Sequence, residues 1–161
     1  FQWMLKNSRF MRDSTSVNFM RLAYELAVEA SKLNEVPVGA IVTRDNQIIG
    51  RGFNKTRAYA DPTAHAEIIA LRDAAKTVGN FRLIDADMFV TIEPCTMCAG
   101  ALVHARIRKL HFAALEPRSG AVMSTARVLD NSSLNHRVIY KQGLCEEECA
   151  SLMQEFFAAK R

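Results

Sequence analysis

The sequence predicts an α/β fold in which a central sheet is covered by helices on both faces. Two observations support this prediction. Short apolar segments with strand-like patterns alternate with segments whose apolar residues recur at helical spacing, and no internal repeat or linker interrupts them. The 161 residues, of which 49% are hydrophobic, suffice for one compact domain, and no apolar run is long enough to span a membrane.

The first half of the chain is predicted to contain a helix, a hairpin and a second helix. Residues 17–33 carry apolar side chains at helical spacing, so we expect the first helix there. Residues 38–43 and 47–52 have the composition of two strands joined by a short polar turn. Residues 63–78 form the second predicted helix, which Gly79 ends.

The second half is predicted to contain three strands and two helices. Residues 88–92 and 107–113 are apolar strands, and residues 96–105 form a helix between them. After a polar loop, residues 137–141 are the last predicted strand, and a helix begins at residue 146.

A broken motif carries the chemistry of the chain. It consists of His-Ala-Glu at residues 65–67 and Pro-Cys-Thr-Met-Cys at residues 94–98. Structural zinc has four protein ligands, whereas catalytic zinc has three and leaves one position for water. The motif offers three good ligands, His65, Cys95 and Cys98, together with one carboxylate, Glu67. This count predicts a catalytic zinc site.

Both parts of the motif lie near predicted helix N-termini, because Pro62 and Pro94 precede them. The positive end of a helix dipole favours thiolate over thiol and so favours metal binding. A single Cys-x-x-Cys could instead be a redox pair or half of a structural zinc site, and a single His-x-Glu could be an ordinary helix start. The two parts in this order resemble the signature of the zinc deaminases.

The predicted reaction is hydrolytic deamination. Zinc lowers the pKa of a bound water to about 7, so that hydroxide is available as the nucleophile. Glu67 would accept the proton of this water and pass it to a substrate nitrogen or to the leaving amine.

Beyond these residues, the chain resembles the cytidine-deaminase-like superfamily and, within it, the bacterial tRNA-specific adenosine deaminases. The resemblance extends over residues 17–161 and is carried by six segments: 35–40, 52–54, 61–67, 82–86, 93–101 and 135–138. It implies a three-layer α/β/α sandwich with a mixed five-stranded sheet and one Zn²⁺ per subunit. It also implies a homodimer that converts adenosine to inosine at the wobble position of a tRNA anticodon stem-loop. The first residues lack the continuous apolar stretch of a secretory signal, so we expect a cytoplasmic protein, although their Arg, Ser and few acids are also found in transit peptides.

The resemblance further implies residues that contact the target nucleotide. Asn54 would hydrogen-bond it, and Val36 and the backbone of Ala66 would form walls around the base. An ordinary turn asparagine and ordinary core residues are the alternatives. Relatives commonly carry Asp at the position of Glu116, whose carboxylate would touch a neighbouring ribose hydroxyl unless it is merely a solvated loop residue.

The C-terminal segment is the best local indication of RNA binding. Phe157 would stack on a base, and Lys160 and Arg161 would contact phosphates. Phe156 is expected in the core, because it continues a helical apolar stripe. The two cations could equally be solvated.

Net charge permits a nucleic-acid partner without requiring one. Half of the formal charge of +4 comes from residues 1–16, so the remaining domain is only mildly basic. We expect residues 1–16 to be a leader of unknown role, disordered or weakly helical or derived from an expression vector, and residues 17–161 to be the deaminase domain. Cys145 and Cys149 have helical spacing and are expected on a buried helix face.

Two other functions share these features. A deaminase of a free nucleobase or nucleoside, of the guanine or cytosine type, would use the same zinc core and would not need residues 160–161. A zinc-stabilised RNA-binding module without chemistry would not need Glu67.

Overall fold

The structure is a computed structural model that describes the backbone of residues 2–161 and the side chains of residues 14–161. Five strands form one sheet in the order β2-β1-β3-β4-β5. The strands are β1 (Gly39–Arg44), β2 (Gln47–Phe53), β3 (Asp87–Ile92), β4 (Lys109–Ala114) and β5 (Ile139–Gln142). The α-helices are α1 (Gln2–Lys32), α2 (Ala66–Val78), α3 (Thr96–His104) and α4 (Glu146–Ala158).

The sheet is mixed and covered on both faces. Strand β1 pairs antiparallel with β2 and β3, whereas β3, β4 and β5 are parallel. One core cluster joins the sheet to α2 and α3, and a second joins the opposite face to α1 and α4. The predicted three-layer α/β/α sandwich with a mixed five-stranded sheet is therefore confirmed. Within the part of the chain that the structure describes, no helix has the length and apolar character of a membrane crossing.

Two helices begin at residues other than those predicted. Helix α1 begins at Gln2, so the predicted boundary after residue 16 does not coincide with a helix end. The side chains of residues 1–13 lie outside the described residues, and the role of this leader stays a prediction. Helix α2 begins at Ala66, three residues late, because a turn precedes it: the backbone N–H and hydroxyl of Thr63 both donate to Asp61 Oδ1.

Helix α2 packs directly on the backbone of β2 because two positions of that strand are glycine. A Cβ at Gly52 would lie 2.5 Å from the carbonyl oxygen of Ala66, and one at Gly50 would lie 2.4 Å from that of Ala70. Real Cβ atoms do not come this close to backbone. The sheet therefore determines the position of the first turn of α2.

His111 is a buried polar residue on the α1/α4 face of the sheet. It is 6% exposed, its ring stacks on Phe89 with centroids 4.5 Å apart, and its Nδ1 has no hydrogen-bond partner among the described residues. Burial, helped by the nearby Lys109 and Lys141, lowers the pKa of His111 to about 4. The imidazole is therefore neutral in the folded protein near neutral pH.

This shift predicts a loss of stability in acid. The unfolded chain binds the proton of His111 near its ordinary pKa of 6.5, and the folded chain binds it only near 4. The free energy of unfolding should thus fall by about 2–3 kcal/mol from this residue as the pH falls between these values. Urea unfolding across that range should show a shallower fall for His111→Phe than for the unchanged protein. Equal falls would contradict the prediction.

Candidate active site

The starts of α2 and α3 meet at the end of the sheet where β2 and β3 finish. His65 precedes the first residue of α2 in an extended conformation, and Glu67 lies in the first turn of that helix. Cys95 occupies the same position before α3, and Cys98 lies in its first turn. Each helix therefore presents its N-terminal end to the site, where the helix dipole favours negative charge.

The donor atoms of His65, Cys95 and Cys98 fit a zinc ion. Nδ1 of His65 lies 3.6 Å from Sγ of Cys95 and 3.5 Å from Sγ of Cys98. Tetrahedral zinc with bonds of about 2.0 Å to nitrogen and about 2.3 Å to sulfur separates such donors by about 3.6 Å. In the described part of the chain, these three residues are the one group of at least three possible ligands whose donor atoms lie within 4.8 Å of one another.

The two thiols differ in acidity because they face each other. A hydrogen bond from Cys98, with a further one from His65, lowers the pKa of Cys95 to about 4. The same contact with Cys95, together with burial, raises the pKa of Cys98. The hydrogen bond to Cys95 raises the pKa of His65. Both sulfurs bind a metal as thiolates, so metal binding at this site is coupled to the release of protons.

Glu67 lies beside this group without belonging to it. Its side chain is 3% exposed, and burial raises its pKa above the ordinary value of 4.5. A carboxyl group whose pKa is shifted towards neutrality can both accept and return a proton during a reaction. Its position leaves three protein ligands for the metal, the number typical of catalytic zinc.

A pocket of about 330 Å³ opens beside Glu67. It is bounded by the β1 and β2 ends, the starts of α2 and α3, the loop after β4, and α4. Its lining residues are Val36, Val38, Asn54, Thr56, His65, Ala66, Glu67, Ile92, Glu93, Cys95, Glu116, Ser119, Met153 and Phe157.

Five of the seven residues predicted to bind substrate line this pocket: Val36, Asn54, Ala66, Glu116 and Phe157.

The other two, Lys160 and Arg161, do not line it. The ammonium of Lys160 lies over the ring of Phe156, 5.1 Å from its centroid, and donates a hydrogen bond to Asn34 Oδ1. Arg161 is exposed. Contact between these residues and RNA stays a prediction.

Several lining residues were missed from the sequence. Ser119 and Met153 come from a polar loop and from the apolar stripe of α4, where neither has a local signal of function. Glu93 directly precedes the Pro-Cys pair, and that position was the available indication. Cys149 lies on a buried face of α4, as expected, with 1% exposure, and packs on the side of the sheet covered by α1. Cys145 does not, because it precedes the first residue of α4 in a left-handed conformation and is half-buried.

The sheet order and the His-Cys-Cys group at two adjoining helix starts are consistent with the deaminase class. Residues 15–161 match the family model described as MafB19-like deaminase, and the chain belongs to this family.

The particular relatives are tRNA-specific adenosine deaminases. The protein of that name from Haemophilus influenzae is 44% identical over 152 residues, which cover 94% of this chain and 88% of the relative. The one from Agrobacterium fabrum is 44% identical over 144 residues, covering 89% and 95%. A structure from a study of A-to-I editing by tRNA wobble-position deaminases is 44% identical, with a TM-score of 0.82 and coverage of 84% and 98%.

Loss of one thiol should weaken zinc binding strongly. We expect Cys98→Ser to bind zinc at least about 100-fold more weakly, because even changes next to a ligand weaken binding by 10- to 100-fold. The measurement is zinc content by mass spectrometry, with competition by a chelator. Cys149→Ala is the matched control, since this buried cysteine lies in the opposite core and should leave the zinc content unchanged. Full zinc content in Cys98→Ser would contradict the assignment.

Proposed function

We propose that this protein is a zinc-dependent hydrolase that converts adenosine to inosine at the wobble position of a tRNA anticodon. The observation that carries the proposal is the His65–Cys95–Cys98 group with Glu67 and a small pocket beside it. Membership of the deaminase family and similarity to tRNA-specific adenosine deaminases support the choice of base and of RNA.

His65, Cys95 and Cys98 would hold the ion, one per chain. An ion held there would lower the pKa of a water to near neutrality, so that hydroxide would be available to attack the amino-bearing carbon of the base. One imidazole and two cysteine sulfurs suit zinc better than magnesium or calcium, which prefer oxygen ligands.

Glu67 would move the protons of the reaction. Its carboxylate would accept the proton of the attacking water and deliver it to the adenine ring. It would then take the remaining hydroxyl proton from the attacked carbon and give it to the amino group, which leaves as ammonia. Burial favours this role, because it raises the pKa of the carboxyl and so helps it hold a proton before passing it on.

The size of the pocket suits one base. The pocket volume of about 330 Å³ lies at the lower end of the range for small-molecule sites. A pocket of this size is too small for a folded RNA stem. The adenine must therefore leave its stack, and this costs least in a single-stranded loop.

Three residues would hold the base in the pocket. The amide oxygen of Asn54 accepts the N–H of Thr56 at 3.4 Å, which leaves the amide NH₂ group to donate to the nucleotide. Val36 and the backbone of Ala66 would contact the base from the sides.

The rim of the pocket would contact the rest of the loop. Glu116 is held by the N–H of Arg118, which donates to its Oε1 at 2.9 Å, and its other oxygen could accept from a ribose hydroxyl. Phe157 is 46% exposed and could stack on an unpaired base. We place Lys160 and Arg161 near the phosphates. We also propose that the protein is a homodimer and acts in the cytoplasm.

The decisive experiment compares RNA with free substrates. The protein is incubated with anticodon stem-loops carrying a wobble adenosine and, separately, with adenosine, cytidine and guanine, and products are identified by mass. We expect inosine in the stem-loop. Product from guanine or cytidine alone would overturn the choice of RNA.

Glu67→Ala should keep zinc and lose at least about 1,000-fold in kcat, because proton transfer by a positioned group contributes 10²–10⁴-fold. Glu155→Ala removes an exposed glutamate from α4 and serves as the control. Unchanged turnover by Glu67→Ala would contradict the catalytic role of Glu67, which could then act only in zinc or RNA binding.

Phe157→Ala should raise KM for the stem-loop about tenfold and leave the turnover of free adenosine nearly unchanged. The reason is that stacking of one base on an aromatic ring is worth about 1–3 kcal/mol. Phe81→Ala removes another exposed phenylalanine, one that does not line the pocket, and should change neither value. An equal loss for both substrates would indicate that Phe157 supports the fold instead.

A further inference from the structure

A second buried carboxylate, Glu93, lies at the pocket and has no part in the mechanism above. It follows the last residue of β3 and is 2% exposed. Unlike Glu67, it is surrounded by hydrogen-bond donors, and these come from one loop that follows β4. We call residues 115–125 the wall loop.

Five donors of the wall loop converge on this carboxylate. The backbone N–H of Glu116 and the hydroxyl of Ser124 donate to Oε1. The N–H groups of Val122, Met123 and Ser124 donate to Oε2 at 3.1, 2.8 and 2.9 Å. Hydrogen bonds to a charged acceptor are the strong ones, and both ends of the loop share this acceptor. The loop therefore closes around one side chain.

Gly120 shows how tightly the loop encloses the carboxylate. A Cβ at this position would lie 2.4 Å from Oε1 of Glu93 and 2.5 Å from the carbonyl oxygen of Glu116. Even a methyl group would have to displace one of them.

The wall loop forms one side of the pocket, since Glu116 and Ser119 both line it. Glu116 is thus attached to Glu93 through its own backbone N–H and also lines the pocket proposed for the nucleotide. A displacement of the loop would move this wall relative to Glu67.

One backbone contact next to Cys95 does not involve the wall loop, because the N–H of Glu93 donates to the carbonyl of Ala114 at 2.9 Å and continues the pairing of β3 with β4. Removing the carboxylate should leave this contact in place. A second contact joins the wall loop to the residue before Cys95, since the N–H of Ala121 donates to the carbonyl of Pro94 at 2.8 Å. Zinc content therefore has to be measured together with any release of the wall loop.

We propose that Glu93 is a positioning residue that holds the wall loop in the conformation that receives the RNA substrate. The proposal rests on the function proposed above. Because the wall is fixed before binding, the substrate does not have to supply the free energy of ordering it. Glu93 acts on the nucleotide through Glu116 and Ser119 and does not touch the reacting atoms.

Glu93→Gln is the sharpest test, since it keeps the shape and replaces one acceptor oxygen with a donor that faces N–H groups. We expect amide hydrogen exchange in a peptide covering the wall loop to be at least about tenfold faster. KM for the anticodon stem-loop should rise about tenfold, kcat should change less, and zinc content should stay at one per chain. Gly120→Ala should change exchange and KM in the same direction.

Two further variants complete the design. Asp87→Asn removes a carboxylate at the other end of β3, where it pairs with Arg108, and should leave exchange in the wall loop and KM unchanged. Ser124→Ala removes the hydroxyl donor and keeps the carboxylate, so it should accelerate exchange less than Glu93→Gln. This milder variant also tests the proposal if Glu93→Gln does not fold.

The outcomes separate this inference from the proposed function. Unchanged exchange in Glu93→Gln and Ser124→Ala would overturn the positioning role, whatever the activity. A fall in kcat that follows zinc loss, with KM unchanged, would also overturn it, because Glu93 would then act through the metal ligands. Absence of RNA deamination by the unchanged protein would instead contradict the proposed function.

Discussion

The side-by-side placement of two helix starts is the constraint on which the rest of the structure depends. Helix α2 connects β2 to β3 and α3 connects β3 to β4, and both pack on the same face of the sheet. The two helix starts meet beyond the ends of the strands, where Nδ1 of His65 lies within 3.6 Å of both thiols. A shift of either helix by one turn, about 5.4 Å, would separate these donors completely. The glycines of β2 fix α2 against such a shift, because the helix rests on strand backbone.

Three buried glutamates near the site show how surroundings assign different roles to one side chain. Glu67 has few donors around it, so burial raises its pKa and suits it to proton transfer. Around Glu93 burial also acts to raise the pKa, but hydrogen bonds from Ser124 and Met123 outweigh it and lower the pKa overall. Glu35, 1% exposed, accepts the N–H groups of Arg57 and Ala58 and holds the loop before α2. Two of the three acids therefore organise loops that line the pocket, and the third is the one suited to proton transfer.

Local patterns predicted the helices and strands and the three residues that the structure brings together, and the family resemblance supplied the mixed five-stranded sheet. Long-range packing explains what neither could reach. Gly79 ends α2 with a left-handed conformation at φ 69°, as expected of a helix-terminating glycine. The order of His65, Cys95 and Cys98 identified the metal group because the spacing itself encodes the chemistry. Ser119 and Met153 reach the pocket only through the packing of distant elements, which no periodicity reports. The contact between Lys160 and Asn34 joins residues 126 positions apart, and for the same reason composition could not predict it.

The end of α4 has a practical consequence for work with this protein. Phe157 lines the pocket, and Arg161 follows it by four residues, a span of no more than about 14 Å even when fully extended. Any polypeptide fused to Arg161 would consequently emerge within reach of the pocket entrance. An affinity tag or a fluorescent reporter on that side would compete with a large ligand for the same space. Labels attached to the hairpin between β1 and β2, whose turn lies at the opposite end of those strands, would avoid this obstruction.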